Sequence, residues 1–341
     1  MSKGLQSTTR LVTAAAIYVA FAAYLYQPYW GNLQRWEYLF PVNAFLAAAG
    51  CYVLSRRWVS SFAGSFFAGA VYGFGPFTLG LAKFHPTAGF LAAAIPWLFC
   101  PVTFSPKTKC RWLSIPLSLL PFLAIVLFFQ VSMHCRLFVV PAQAKLHLSD
   151  LLGLLAPLVG AMRGLTLVGF YHIPLAPLIM GFSMLLAARR IGVMTILTVP
   201  VVLSFCNPLL NVSPIIWLTI AVLCCSVLIG AGTQGLISAG FADRKWALSI
   251  AGICGALAIA TLLLATKYFQ TFLALGAGYA RVFTDTGKMY ALGAITILVV
   301  FFLVRAKLPA ERRIPIRPVL LCIAMATDIF LGARFIVDRM L

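Results

Sequence analysis

Carboxylates are scarce in this chain, and the few present mark where chemistry could sit. Asp and Glu together number 7 against 26 Lys and Arg in 341 residues, a formal charge of +19. Glu37 is the one acid in the segment QPYWGNLQRWEYL at 27–39. A lone carboxylate serves as a general base when partial burial raises its pKa. The same residue could instead sit at an interface, paired with Arg35 or Lys83. Tyr26, Tyr29, Trp30, Trp36 and Tyr38 surround it; such rings stack on sugars, and they also form the aromatic belt at headgroup depth. Asp150 is the second candidate acid. His147 lies three positions before it, so on a helix the two share a face, as a base with its orienting partner or as two metal ligands. No third ligand is evident, and no metal site is expected.

The cations suggest a different chemistry. Lys83 and His85 follow the end of an apolar run, and Arg163 stands beyond a second one. Charge-assisted donors of this kind hold a lipid phosphate; a snorkelling lysine beside an interfacial histidine is the plainer reading. The segment 133–150 adds His134, Arg136 and Lys145, a basic loop suited to anionic headgroups. His172 and Asp328 fall inside apolar runs. An ionisable group at membrane depth is a functional candidate by default, although a histidine bonded to a neighbouring backbone group or hydroxyl serves structure equally well. Asp328 is expected toward the outer end of the last helix, paired with Arg334 or capping another helix.

The surroundings of these residues set the class. Apolar residues make up 62% of the chain and charged residues 10%, with a mean hydropathy of +1.00. A soluble domain carries about 45–50% apolar and about 25% charged residues. That composition excludes a soluble enzyme, a disordered tail and a nucleic-acid-binding module, whose basic residues would lie on a polar surface. The expected fold is all-α: a polytopic helical membrane protein forming one transmembrane domain over 1–341, with no soluble domain. Apolar runs predict about eleven transmembrane helices, at 11–28, 39–55, 60–80, 87–104, 113–132, 165–188, 191–206, 214–236, 246–266, 289–304 and 316–333. The stretches 151–162 and 268–283 are too short to span and are expected in the interface or re-entering the membrane.

Charge orients this arrangement. With the N-terminus inside and the C-terminus outside, short inner loops hold the clusters Arg56-Arg57, Lys107-Lys109-Arg111, Arg189-Arg190, Arg244-Lys245 and Arg305–Arg317, as the positive-inside rule requires. The first helix then reads as a retained signal anchor. The nine cysteines form no CxxC pair; Cys135 and Cys206, both near the outer face, are the pair that could meet. The chain is expected as a multi-pass protein of a bacterial inner membrane.

The run Asn43–Pro101 carries a YxLxRR element (Tyr52–Arg57), an AGxxYGFxPF element (Ala68–Phe77), a short loop with His85, and a helix with Pro96 in mid-span. It resembles the YfhO-like and related polytopic glycosyltransferases of the GT-C superfamily. The stretch Gly169–Arg190, the NPLLxxSP loop at 207–214, the LIGAGTQGL run at 228–236 and the ATDIF ending at 326–330 are similar more loosely. The resemblance implies a GT-C-like bundle that transfers a sugar from a polyprenyl-phosphate donor on the outer face. It also implies an acid in the first outer loop as general base, often with a divalent metal, and cations near Lys83 on the lipid phosphate. In this chain that loop is short and holds one acid, Glu37.

Two other readings stand beside the transferase. A transferase-like bundle could be a non-catalytic subunit among other membrane subunits. A transporter of a lipid-linked substrate would need charged groups in mid-span, for which His172 and Asp328 qualify. All three place membrane lipids, anionic headgroups or polyprenyl phosphate as partners.

Overall fold

The computed structural model describes residues 2–31, 33, 37–84, 86–104, 111–135, 146, 152–163, 168–239, 244–272, 277–305 and 316–341. Their regular elements are helices, with one isolated antiparallel bridge between Leu209 and Val212. In chain order they are α1 (Ser2–Tyr26), α2 (Leu39–Ser55), α3 (Phe62–Gly73), α4 (Pro76–Phe84), α5 (Pro86–Phe104), α6 (Arg111–Cys135), α7 (Leu152–Leu155), α8 (Pro157–Arg163), α9 (Leu175–Ala187), α10 (Ile191–Phe205), α11 (Leu218–Ser238), α12 (Arg244–Leu264), α13 (Lys267–Phe272), α14 (Ala277–Arg305) and α15 (Ile316–Met340). Proline opens α4, α5 and α8, where its fixed φ suits the first turn and its missing N–H is not needed. Ser61 caps α3 by accepting from Gly64 N at 3.1 Å.

The chain is an all-α integral membrane protein, but the expected count of eleven spans is not met. Six helices among the described residues are long and apolar enough to cross: Thr8–Tyr29, Phe62–Ala82, Pro214–Ser238, Lys245–Leu264, Gly278–Phe302 and Ile316–Arg339. The other five runs correspond to shorter apolar helices, Leu39–Ser55, Ala88–Pro101, Leu117–Val131, Leu175–Ala187 and Ile191–Phe205. A helix rises 1.5 Å per residue, so α10 with its 15 residues is roughly 22 Å long against a hydrocarbon core of about 30 Å. The run 165–188 is shortened by its own backbone: 168–174 is irregular, Gly169 has φ +157°, and α9 begins only after Pro174. The run 289–304 is instead too short an expectation, because α14 starts at Ala277.

The short stretch 151–162 enters the bundle. Ala156 and Val159 are buried, and α8 packs on α4, α14 and α15. Gly153 lies against the carbonyl of Val168, and Gly169 against that of Gly153. The α3–α4 break at Phe74 and Gly75 falls at the same level, since Tyr171 Oη donates to Phe74 O at 2.7 Å.

Two ends of the bundle are distinct. At one, the backbone N–H groups of Ser60 and Ser61 donate to Gln234 Oε1 (2.9 and 3.2 Å), and Arg317 donates to Ala239 O at 3.2 Å. Arg56, Arg57 and Lys245 lie on the elements gathered there. At the other, Tyr29 Oη donates to Asp338 Oδ1 at 2.7 Å, and Arg334 pairs with Asp338 at 2.9 Å.

Lipid is as apolar as leucine, so close van der Waals packing takes the place of hydrophobic drive between membrane helices. Here glycine supplies it. Gly64 on α3 and Gly230 on α11 meet backbone to backbone, and Gly232 on α11 faces the Pro177 carbonyl on α9. The LIGAGTQGL run at 228–236 is thus a packing surface. Gly232→Val forces these backbones apart and destabilises the protein by about 1–3 kcal/mol. A lowered thermal midpoint in detergent, relative to Gly192→Val where a Cβ meets nothing within 4 Å, checks this; equal midpoints would contradict it.

Candidate functional site

Four of the candidate positions lie on elements that meet at one end of the bundle. Glu37 is half-buried two residues before α2, and its carbonyl accepts from Phe40 N at 3.0 Å. Lys83 lies in the last turn of α4, and position 85 falls between α4 and α5. The ends of these three helices touch: a Cβ placed on Gly89 would meet Ala82 Cβ at 2.9 Å and Asn43 Nδ2 at 3.0 Å. α8, which ends at Arg163, packs on α4. Met162 of α8 lies near Gly278 at the start of α14, and it packs on the same buried cluster of Ala156, Val159, Val282 and Phe283 as Phe335 near the end of α15. This is the end that carries Tyr29 and Asp338. The side chains of Lys83 and Arg163, together with His85, His147 and Asp150, lie outside the described residues. The same is true of Cys135, while Cys206 is a free, exposed thiol.

Among the described residues, His172 and Asp328 form the one close pair that the structure makes from the candidates. They lie 156 residues apart in sequence, and His172 Nδ1 is 3.0 Å from Asp328 Oδ1, with both side chains 2% exposed. Ile173 N donates to Asp328 Oδ2 at 2.6 Å. The expectation that Asp328 sits near the outer end of the last helix and pairs with Arg334 is corrected. It lies in the middle of α15, and Arg334 pairs with Asp338. A buried carboxylate midway along an apolar helix needs donors at its own level, and the irregular 168–174 segment supplies an imidazole and a backbone N–H together. An ionised Asp328 requires the proton on Nδ1 of His172. The other ring nitrogen, Nε2, is buried with no hydrogen-bond partner among the described residues. The ring stands edge-on to Tyr290, 5.0 Å between centroids at 86°.

Buried tyrosines hold the interrupted backbone, and sequence reasoning did not single them out. Tyr290 Oη donates to Leu155 O at 2.7 Å and Tyr72 Oη to Ala92 O at 2.7 Å. With Tyr171 on Phe74 O, they satisfy carbonyls that would otherwise lie unpaired in lipid. For Tyr72 and Tyr171 the available signal was a neighbouring break, Gly73–Pro76 and Gly169–Pro174; Tyr290, inside α14, carried none. Asp338 was also missed; its signal was Arg334 four residues earlier on the same helix face.

The arrangement ties α15 to the entry of α9 and lines no described cavity. A cavity of about 400 Å3 lies between α1, α3 and α15, walled by residues such as Phe21, Phe67 and Phe330. A second, of about 460 Å3, lies at the opposite, basic end. Neither includes Glu37, His172 or Asp328. Among the described residues, no three His, Cys, Asp or Glu side chains converge as metal ligands.

No protein-family model, curated protein or solved structure matches the chain.

Proposed function

We propose that this protein is a GT-C-like membrane transferase that moves a sugar from a polyprenyl-phosphate donor on the outer face. In this reading the N-terminus lies inside and the C-terminus outside, and the membrane is a bacterial inner membrane. The observation that carries it is the meeting of α2, α4, α5 and α8 at the end opposite the arginine clusters. Lys83 and Arg163 lie on α4 and α8, Glu37 stands just before α2, and position 85 falls between α4 and α5.

The roles follow from the chemistry. Glu37 takes the proton of an acceptor hydroxyl, whose oxygen attacks the anomeric carbon of the donor sugar. The bond from that carbon to the phosphate oxygen breaks, and polyprenyl phosphate leaves with the electron pair. Lys83, His85 and Arg163 bind the anion that departs. The described residues offer no three-ligand set for a divalent ion, and no step is routed through one.

Lys83→Gln combined with Arg163→Gln is expected to weaken binding of polyprenyl phosphate to the purified protein about tenfold for each cation removed, one charge-assisted contact apiece. Titration in detergent micelles checks it, and unchanged affinity would remove the phosphate assignment. A second reading, a non-catalytic subunit of a larger membrane complex, is favoured by the fate of Asp328. The buried carboxylate is fully engaged by His172 and Ile173 N, which is structural work. Stable co-purification in a complex without turnover distinguishes it.

A further inference from the structure

We propose that the cavity at the basic end binds a single anionic phospholipid, with one acyl chain inside and the phosphate between Arg57 and Arg190. The site is independent of the transfer reading, which concerns the opposite end. Its volume of about 460 Å3 lies within the roughly 300–1,000 Å3 of small-molecule sites. The walls come from α2, α5, α6, α9, α10 and α11, and they are graded. Leu54, Leu185, Leu223 and Leu228 are buried, whereas Arg57, Trp58 and Arg190 are exposed at the rim. The interior therefore matches a hydrocarbon chain and the rim a headgroup.

Charge selects the headgroup. Among the described residues of the lining, both charged side chains are arginines and none is Asp or Glu, so a net anion is preferred over a zwitterion. A guanidinium offers a planar fork that matches two phosphate oxygens. Arg56 next door is committed elsewhere, donating to Ser60 O at 2.9 Å, which leaves Arg57 as the guanidinium of that pair at the cavity. Trp58, 44% exposed, is of the type that meets headgroups at a membrane interface. The elements around the cavity belong to the basic end, and the cytoplasmic leaflet holds the anionic lipids that such an end attracts.

The test is native mass spectrometry of the full-length protein presented with equal amounts of phosphatidylglycerol and phosphatidylcholine of identical acyl chains. The expected result is one phosphatidylglycerol retained in preference to phosphatidylcholine. Arg57→Gln and Arg190→Gln should each reduce retention about tenfold, and Lys267→Gln should leave it unchanged. Ala231→Phe, which fills the cavity, should abolish retention of both lipids. Equal retention of the two lipids, or wild-type retention by the double arginine variant, overturns the proposal. So does wild-type retention by Ala231→Phe. The arginine variants alter exposed side chains and decide the matter even where the phenylalanine variant fails to fold.

Discussion

Asp328→Ala lowers the stability of the folded bundle by about 3–5 kcal/mol, the usual loss when one partner of a buried pair is removed. Asp328 Oδ1 lies 3.0 Å from His172 Nδ1, and Oδ2 accepts from Ile173 N at 2.6 Å. Its loss leaves a buried imidazole and a buried backbone N–H without their partner. Asp328→Asn keeps one carbonyl oxygen for Ile173 N and is expected to lose less, about 1–3 kcal/mol. The informative variant is the double replacement His172→Leu with Asp328→Leu. It removes donor and acceptor together and leaves only the Ile173 N–H unpaired, so it should be more stable than Asp328→Ala despite carrying two changes. Unfolding by denaturing detergent, followed by helical circular dichroism, measures all three. An Asp328→Ala protein within about 0.5 kcal/mol of wild type, the range of an inert surface change, would show that the pair does not hold α15 to the α9 entry.

Glu37→Gln is expected to reduce sugar transfer by about 10²–10⁴-fold, the contribution of a positioned general base. The amide is nearly isosteric and cannot accept the acceptor's proton. The stability of the bundle should not change, because Glu37 lies outside the helices and is only half-buried. Donor binding should also persist, since the phosphate is assigned to cations on α4, α8 and the α4–α5 junction. A variant that transfers at the wild-type rate takes the base role from Glu37; one that loses donor binding and turnover together makes it a binding residue.

The membrane class was legible because composition alone decides it: a 62% apolar chain with 7 acids has no soluble solution. Helix positions were also legible, as each expected run overlaps a helix. Their spanning length was not: in the run 165–188 the irregular Gly169–Pro174 segment depends on a tertiary partner that accepts its kinked backbone, here Asp328. The positions of Glu37, Lys83 and Arg163 at helix ends were readable from apolar runs. The His172–Asp328 contact was not, since periodicity reports a face and a depth within one helix but not which distant segment arrives there. The glycine run at 228–236 carried a signal of close packing, and its partners on α3 and α9 emerged only with the fold.

Transfer from a polyprenyl-phosphate sugar is measured directly as release of polyprenyl phosphate from a labelled donor in vesicles containing only this protein and an acceptor hydroxyl compound. The expected release requires both the protein and the acceptor and is lost with Glu37→Gln. Release no faster than in protein-free vesicles, from a protein that retains its folded helices, would contradict it.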